Sequence, residues 1–358
     1  MADDKLDALR QRIDAIDDRI LDLLNERARV VIQVGETKAG EKRQFYVPSR
    51  EQAIYQRLCD GNSGPFPSEA IRRVYREIIS ACLSLEEPMK VAFLGPQATF
   101  THVAAMQQFG LSARLVPLKS ISAVFEEVAR GRAHYGVVPV ENSNEGIVNH
   151  TLDMFMESDL KVSSEILLEI SHDLLNRSGR LEDVRKVISH PQALAQCRKW
   201  LEETLPDIPL VDVGSTALAA QIAAEDETAA AIASEMAASL YGLKVAKQKI
   251  ADNPSNFTRF LVVGRHTPER SGQDKTSIMF SVKDQPGILY RMLEPFHKRQ
   301  INLSKIESRP LKSKAWEYIF FLDLDGHIGD DSVRQAVDEL RPYCQFLKVL
   351  GSYPKAAR

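Results

Sequence analysis

Hydroxyl, amide, carboxylate and imidazole side chains follow several short apolar runs, such as KVAFLG, GVVPV and KVISH, where predicted strands give way to helices. Open α/β sheets bind ligands at this edge, and the helix N-termini there favour anions. The same residue types are also common in turns and at helix N-caps, which is the alternative interpretation. If they converge, they form a donor-rich pocket suited to a dianion. The residues concerned are Thr99, Glu141, Asn142, Ser143, Ser189, His190, Gln196, Ser215 and Thr216.

Four basic residues lie at intervals near the N-terminus: Arg10, Arg27, Lys38 and Arg50. They could form a solvated helix face, but planar guanidinium groups also suit carboxylates. Arg10 and Arg27 are 17 residues apart, which is about 25 Å along a straight helix. One small dianion cannot bridge that span. Both can therefore serve one site only if Arg10 comes from a second chain whose first helix runs antiparallel, and this predicts a dimer.

The first segment has helical periodicity throughout. Its apolar positions alternate spacings of three and four, a heptad-like stripe that predicts an unusually long first helix. A second helix is expected to run to Asp60 with Ser49 as a possible N-cap, and a third to begin at Ser68 and stop before Pro88. The stripe consists of Leu6, Leu9, Ile13, Ile16, Ile20 and Leu23.

The remainder of the chain changes pattern twice. From Met89, apolar runs alternate with helical stretches, which predicts an α/β domain with a largely parallel sheet. After the polar linker RHTPERSGQDK the predicted order is βαββαβ, the ferredoxin-like arrangement. The expected domains are residues 1–87 (all-α, three helices), 89–266 (α/β) and 275–355 (ferredoxin-like).

The bulk composition excludes several classes of protein. The 358 residues are 44% hydrophobic and 27% charged, which is typical of folded globular domains. The net charge of −3 lacks the basic excess of nucleic-acid binding. No uncharged apolar run reaches the ~18 residues of a membrane span, and the charged N-terminus does not resemble a signal peptide. The four cysteines have neither metal-ligand nor disulfide-framework spacing, so we expect a reduced cytoplasmic protein with no membrane or nucleic-acid partner.

The N-terminal segment resembles the all-helical chorismate mutase family in the stretches LDALRQRIDAID, LLNERARVVIQVGETK, PSREQ and IISACLSLE. The resemblance implies that Arg10, Arg27 and Arg50 bind the two carboxylates of chorismate. Lys38 would donate to the ether oxygen, which gains negative charge as the C–O bond breaks, and Glu51 would accept from the ring hydroxyl. The rearrangement is unimolecular, so the site only has to hold a compact conformer and stabilise developing charge.

This similarity covers residues 5 to 87, with two departures. Val47 stands where the family often has an aspartate, and Glu86 stands where it has Gln or Glu facing the ether oxygen. A carboxylate would repel the developing oxyanion, so Glu86 is expected to act in its protonated form. We therefore expect mutase activity to decline as pH rises, and Glu86→Gln to flatten that profile. Cys82 is expected to have a packing or minor contact role.

Five stretches between residues 91 and 263 resemble prephenate dehydratase: FLGPQATFTH, VVPVENSNEGIVNHTLDMF, VISHPQALAQC, GSTALAA and NPSNFTRF. In that reaction prephenate loses carbon dioxide and its ring hydroxyl together. Hydroxide is a poor leaving group, so a proton donor is needed near it, but no metal or redox cofactor is required. The resemblance implies that Thr258 supplies the proton, by relay or by orientation. Arg259 would hold a carboxylate or form a structural salt bridge, and Asn256 and Phe260 would join the strand-end residues around the substrate.

The layout suggests two lobes with the site between them, by fold analogy to type II periplasmic binding proteins. The final segment, about 276 to 353, resembles the ACT domain of phenylalanine-regulated dehydratases through GILYRML and IESRP. An alternative is a dimerisation module with degraded sensing. The resemblance implies that phenylalanine binds between two ACT domains at Gly287, Ile288, Leu289, Tyr290, Glu307, Ser308 and Arg309.

Three rival interpretations remain. Arogenate dehydratase shares the fold and motifs of the second segment, although a fused mutase, which makes prephenate, favours prephenate. A solute-binding module with an amino-acid sensor is disfavoured by NFTRF. A regulatory protein with a dead mutase is disfavoured by the retained basic residues. The expected partners are chorismate, prephenate, phenylalanine and a second copy of the chain, with pairing of dimers into tetramers left open.

Overall fold

The computed structural model describes residues 2–38, 47–85, 88–282, 285–310 and 318–356. The chain divides into two compact units. One comprises residues 1–47, 53–89 and 109–114, and the other comprises residues 48–52, 90–108 and 115–358. None of the described helices is long and apolar enough to span a bilayer.

Three helices form in the N-terminal segment, as predicted: α1 (Ala2–Lys38), α2 (Pro48–Asp60) and α3 (Ser68–Ser84). The first is a continuous helix of 37 residues. Its apolar stripe lies at the surface of the single chain, with Ile13 57% and Leu23 62% exposed. Apolar side chains at heptad spacing on a free helix face are typical of a surface that packs on another helix.

The start of α2 differs from the prediction. Val47 occupies the N-cap position with extended backbone, Pro48 is the first helical residue, and Ser49 lies inside the helix. Proline is favoured at this position because its missing N–H would have no partner there and its φ already suits a helix. Ser49 is therefore not the cap.

The α/β segment begins with a lobe built on a first sheet in the order β2-β1-β3-β11-β5, with the short β4 paired to β3. Strands β1 and β3 are parallel, whereas β11 is antiparallel to both β3 and β5. The elements of this lobe in chain order are β1 (Lys90–Leu94), α4 (Phe100–Phe109), β2 (Arg114–Leu118), α5 (Ile121–Ala129), β3 (Tyr135–Asn142), β4 (Gly146–Ile147), α6 (Asn149–Glu157) and β5 (Lys161–Glu169).

The second lobe has its own sheet in the order β10-β6-β9-β7-β8. The chain enters it after β5 and returns to the first sheet after β10, so the two lobes are joined by two crossings. Its elements are β6 (Asp173–Asn176), β7 (Lys186–Ser189), α7 (Pro191–Gln196), α8 (Arg198–Thr204), β8 (Leu210–Asp212), α9 (Thr216–Glu225), β9 (Ala229–Ala233), α10 (Glu235–Tyr241) and β10 (Lys244–Lys247), after which β11 (Phe257–Gly264) completes the first sheet.

The two lobes were predicted, but the sheets are mixed rather than largely parallel. In the second sheet β7 is parallel to β8 and β9, while β6 is antiparallel to β9 and β10. In each lobe the strand that follows a crossing, β6 in the second lobe and β11 in the first, is the antiparallel one. It runs against strands that crossover helices make parallel.

The C-terminal segment has the predicted βαββαβ order, with sheet order β13-β14-β12-β15. One sheet face covers its own two helices, and the other packs on the first sheet, where Met279, Phe321 and Tyr353 join the cluster of Val162. A Cβ at Gly351 would overlap the backbone of Val162, so glycine permits this close approach. The elements are β12 (Asp274–Val282), α11 (Ile288–Lys298), β13 (Leu303–Pro310), β14 (Tyr318–Asp325), α12 (Asp331–Leu340) and β15 (Cys344–Pro354).

Candidate active sites

The end of β3 and the start of β11 bring two of the predicted residues together. Asn142 and Thr258 are register partners in the antiparallel pair. Nδ2 of Asn142 donates to Oγ1 of Thr258 at 2.7 Å and to Oδ1 of Asn256 at 2.9 Å. Thr258 is only 9% exposed, so this hydroxyl lies in a largely desolvated position beside an amide.

The orientation of the Asn142 amide is fixed by the backbone. Its Oδ1 accepts from the N–H groups of Asn144, at 2.9 Å, and Glu145, at 3.1 Å. The NH₂ group must therefore face Thr258. Because Oγ1 of Thr258 accepts from Asn142, the hydroxyl hydrogen is free to be donated elsewhere. The geometry thus leaves Thr258 able to donate, and its role as the proton donor to the substrate stays a prediction.

The same chain of amides continues into the second lobe. Nδ2 of Asn256 donates to Oε1 of Gln196 at 3.0 Å, and Nε2 of His172 lies 2.8 Å from that oxygen. Nε2 of Gln196 then reaches Oε1 of Glu145 at 3.2 Å. Gln196 at the end of α7 is therefore held by groups from both crossings, and its NH₂ group faces the first lobe.

His172 was not predicted. The oxygen of Gln196 can only accept, so His172 must donate from Nε2. Nδ1 is buried and has no hydrogen-bond partner among the described residues. Burial lowers the pKa of His172, which favours the neutral ring. The sequence offers no spacing signal for this residue, because only the crossing after β5 brings it within reach of Gln196.

Three of the other strand-end residues lie at helix starts. His190 accepts from the N–H of Gln192 through Nδ1 and caps α7, and Ser215 accepts from the N–H of Leu218 and caps α9, which Thr216 opens. Because β7 and β8 are parallel neighbours, these two helix starts meet at one edge of the second sheet. These contacts are those of N-caps, the alternative that the sequence left open.

Ser189 and Thr99 are engaged with backbone oxygens. The hydroxyl of fully buried Ser189 donates to the carbonyl of Ile232 at 2.7 Å and ties β7 to β9. Oγ1 of Thr99 donates to the carbonyl of Pro96 at 3.0 Å at the start of α4. Both lie at carboxyl ends of strands, but these hydroxyls are already satisfied within the protein.

Ser143 and Phe260 have local roles. Ser143 and Phe257 exchange hydrogen bonds, from Ser143 N to Phe257 O at 2.8 Å and from Phe257 N to Ser143 Oγ at 3.0 Å. They join the turn after β3 to β11. Phe260 is 1% exposed and is one of the largest fully buried side chains. It is a core residue, and sequence similarity alone could not distinguish that role from substrate contact.

Glu141 and Arg259 are register partners one residue before Asn142 and one after Thr258, so their side chains project from the opposite face of the sheet. Nη1 of Arg259 reaches Oδ2 of Asp323 at 2.6 Å, and Nε reaches Oε2 of Glu165 at 2.8 Å. Burial acts to lower the pKa of Arg259, but its anionic neighbours raise it overall. Of the two predicted roles, the contacts of Arg259 are those of a structural salt bridge.

Apart from Glu86, the predicted mutase residues lie on the three N-terminal helices. Nη1 of Arg27 is buried without a hydrogen-bond partner among the described residues. Arg10 is exposed and pairs with Asp7 at 3.2 Å. Lys38 is the last residue of α1, and Glu86 lies outside the described residues.

On the other helices of this segment, Arg50 is exposed and Glu51 is 9% exposed in the first turn of α2. Cys82 is 6% exposed within α3. That burial fits the packing role expected of its thiol.

The predicted effector residues occupy two elements of the C-terminal segment. Gly287, with φ 78°, caps α11 in the left-handed region that favours glycine. Ile288 is buried, whereas Leu289 and Tyr290 are 53% and 70% exposed. An exposed apolar pair at a helix start suits an interface with a ligand or a second copy.

Along β13, Ser308 is exposed, and Glu307 and Arg309 are half-buried on the opposite face. Nη1 of Arg309 donates to Asp153 of α6 at 2.7 Å. One of the predicted effector residues is thus in contact with the α/β segment.

The described residues contain no group of three or more His, Cys, Asp or Glu side chains that could hold a metal ion. Fold and site together define a two-lobed α/β domain with an amide and hydroxyl cluster, joined to a ferredoxin-like domain and to a helical segment with basic side chains.

Comparison with known families gives the same three parts in the same order. The chain matches the models for chorismate mutase type II over residues 9–87, prephenate dehydratase over residues 91–268 and the ACT domain over residues 276–342. It is 54% identical over 357 residues to the bifunctional chorismate mutase/prephenate dehydratase of Aquifex aeolicus, covering 99% of each chain. The chain belongs to the family of bifunctional chorismate mutase/prephenate dehydratases, with an isomerase segment, a lyase segment and an ACT domain.

Two further relatives bear on the α/β and ACT segments. Arogenate dehydratase/prephenate dehydratase 2, chloroplastic, of Arabidopsis thaliana is 39% identical over 282 residues, 74% of this chain and 73% of that protein. The crystal structure of prephenate dehydratase in complex with L-Phe from Arthrobacter aurescens has a TM-score of 0.69 and 38% identity, and covers 74% of this chain and 90% of that chain.

Proposed function

We propose that residues 1–87 rearrange chorismate to prephenate, that residues 89–266 convert prephenate to phenylpyruvate, and that residues 275–355 bind phenylalanine as a feedback inhibitor. The observation that carries the dehydratase assignment is the orientation of Thr258 by Asn142. It gives a donor hydroxyl at the edge where the two lobes meet, in a chain with the family's motifs in order.

The reaction needs a proton more than it needs a nucleophile. As the ring carboxylate leaves as carbon dioxide, its bonding pair enters the ring and expels the hydroxyl on the far side. Thr258 would donate to that hydroxyl so that it leaves as water, and aromatisation would drive the step. A threonine hydroxyl is a weak acid, so its proton must be replaced as it is given. The amide hydrogens of Asn142 and Gln196 would stabilise charge around it.

In the mutase segment, Arg10, Arg27 and Arg50 would hold the two carboxylates of chorismate, and Lys38 would donate to its ether oxygen. Because α1 is one continuous helix, Arg10 and Arg27 are about 25 Å apart along it. A complete site therefore takes Arg10 from a second copy. The exposed apolar stripe of α1 would be the surface that the two copies share.

Feedback by phenylalanine would act through the ACT segment, at α11 and β13. The supporting observation is the resemblance in fold and sequence to a dehydratase solved with L-Phe. A cytoplasmic location belongs to the same proposal. All four cysteines are described and all are free thiols, as expected in a reducing compartment.

Arogenate is the second candidate substrate for the α/β segment, and the name of the Arabidopsis relative favours testing it. It differs from prephenate by an amino group in place of the side-chain keto group. The fused mutase supplies prephenate directly, so we expect prephenate to be converted with the higher kcat/KM. A preference for arogenate would reassign the substrate and leave the chemistry unchanged.

The test is to follow chorismate, prephenate and phenylpyruvate together in the purified protein, with and without phenylalanine. Transient prephenate followed by phenylpyruvate, with the second step suppressed by phenylalanine, is the expected result. Prephenate that accumulates without phenylpyruvate would contradict the dehydratase assignment. A second step insensitive to phenylalanine would contradict the feedback.

A further inference from the structure

Four charged residues form a closed set between the ACT sheet and the first sheet of the α/β segment. Glu141 of β3 and Arg259 of β11 are register partners in one sheet, and Lys305 of β13 and Asp323 of β14 are register partners in the other. Across the gap, Lys305 contacts Glu141 at 2.7 Å and Arg259 contacts Asp323 at 2.6 Å. We call these four residues the charge square, because their signs alternate around it.

Three of the four side chains of the square are shielded from solvent. Those of Lys305, Arg259 and Asp323 are 13%, 14% and 9% exposed, whereas that of Glu141 is 39% exposed. Glu165 adds a second carboxylate beside Arg259 and also pairs with Lys275 of β12 at 2.8 Å. Charges at this depth are held strongly when paired, and the loss of one partner leaves the other poorly solvated. If the two sheets slid past each other, these ion pairs would therefore break and leave poorly solvated charges without a partner.

Each side of the square adjoins a functional element. Glu141 precedes Asn142 and Arg259 follows Thr258, so the oriented hydroxyl is one residue away on both strands. The β3–β11 register shifts between Arg259 and Phe260, and such irregularities let a strand bend and re-aim a side chain. On the ACT side, Lys305 shares β13 with Glu307 and Arg309, proposed above to bind phenylalanine.

We propose that the charge square transmits the state of the phenylalanine site to the dehydratase site, with Glu141 and Arg259 as positioning residues for Asn142 and Thr258. A shift of β13 on effector binding is carried by Lys305 and Asp323 to the ends of β3 and β11. The Asn142–Thr258 hydrogen bond is then misaligned, and proton donation slows. This inference rests on the proposed dehydratase activity and its feedback, and it names the route.

The test uses the full chain and substitutions on the ACT side alone. Lys305→Met removes the ion pair with Glu141 and keeps most of the side-chain volume. Asp323→Asn removes the negative charge from the ion pair with Arg259. For each variant, the prephenate dehydratase rate is measured across phenylalanine concentrations, and phenylalanine binding is measured separately by calorimetry. Lys305→Arg retains the ion pair, and Lys298→Met makes the same lysine substitution on an exposed helix pair of the ACT segment.

We expect both test variants to bind phenylalanine, and the inhibition of each variant is measured relative to its own uninhibited rate. The factor by which saturating phenylalanine slows the reaction should fall by roughly 2- to 30-fold. Lys305→Arg and Lys298→Met should be inhibited like the unmodified protein.

Inhibition of Lys305→Met and Asp323→Asn equal to that of the unmodified protein would overturn the route. Loss of phenylalanine binding in them would also overturn it, because the residues would then belong to the effector site itself. If phenylalanine does not inhibit the unmodified protein, the proposed feedback is wrong, and the proposed route through the charge square is wrong with it. Phenylalanine binding and measurable uninhibited dehydratase activity in every variant check that the α/β and ACT segments are folded.

Discussion

At the scale of single residues, the candidate dehydratase site depends on the direction of the hydrogen bonds of Asn142 and Thr258 rather than on unusual acidity. Two backbone N–H groups fix the position of the side-chain oxygen of Asn142, so its NH₂ group faces Thr258. Because Oγ1 of Thr258 accepts from that NH₂ group, the hydroxyl hydrogen must point elsewhere. A carboxylate in place of the amide would accept the same backbone hydrogen bonds but could not donate. Thr258 would then donate to it and turn away from a substrate.

Asn142→Asp should therefore lower the dehydratase kcat by about 10²- to 10⁴-fold, the range attributed to general acid catalysis. Repulsion between the new charge and the substrate dianion should appear as a rise in KM. Steady-state kinetics on prephenate separate the two effects, and Thr258→Ser, which keeps a hydroxyl, is the matched control. An unchanged kcat in Asn142→Asp would show that Thr258 is oriented by something else.

His172 makes a second residue-level prediction, about stability. Burial lowers its folded pKa below the ordinary 6.5, so below that pH the unfolded chain binds a proton that the folded chain does not. Stability should thus fall as pH drops below about 6.5, by at most about 1.4 kcal/mol per pH unit for one group. His102, whose pKa burial also lowers, adds to the same slope.

Urea unfolding at pH 7 and pH 5 measures this effect. His172→Gln should reduce the difference between the two pH values, whereas the same substitution at exposed His150 should not. An equal pH dependence in both variants would mean that His172 titrates alike in the folded and unfolded chains.

At the scale of elements, the length of α1 decides how the mutase site can be assembled. A straight helix of 37 residues cannot fold back to bring Arg10 to Arg27. The apolar stripe on its surface has the spacing of a helix–helix seam. Both features favour an antiparallel pairing of two copies, in which each site combines residues of both.

Mixing two inactive variants tests this arrangement. Arg10→Ala and Arg27→Ala should each abolish most mutase activity alone. After equal amounts are unfolded and refolded together, roughly a quarter of the normal activity should return, since half the dimers are mixed and each has one intact site. No recovery despite mixed dimers, confirmed by mass with one of the two variants isotope-labelled, would place both arginines in a site within one chain.

At the scale of the whole molecule, the ACT sheet and the first sheet of the α/β segment share one buried cluster and one set of ion pairs. They should therefore respond to phenylalanine together. The helical segment belongs largely to the other compact unit, so its response need not follow.

Thermal unfolding with phenylalanine checks this expectation. At a hundred times its Kd, a ligand that binds only the folded state adds about 2.7 kcal/mol of stability. The transition of the α/β and ACT segments should move up, and the helical transition, followed through mutase activity after brief heating, should stay. A shift of the helical transition alone would contradict binding at the ACT segment.

The sequence by itself determined the three segments and most of their secondary structure, and its resemblance to known families indicated the chemistry of the first and second. Heptad spacing predicts a long helix because side chains three and four residues apart share a face, and βαββαβ follows from local periodicity. The resemblance around NFTRF predicts a role for Thr258, and that role stays a prediction. These properties depend on neighbours in the chain, which a sequence displays directly.

Only the tertiary structure decided which polar residues act together. Asn142 and Thr258 are 116 residues apart, and His172 reaches Gln196 only because the chain crosses between lobes beside it. The pleat of β3 and β11 sends Glu141 and Arg259 to the face opposite Asn142 and Thr258. Adjacent residues of one motif are thereby divided between the candidate active-site edge and a buried interface. A strand alternates its side chains, and only packing determines what each face meets.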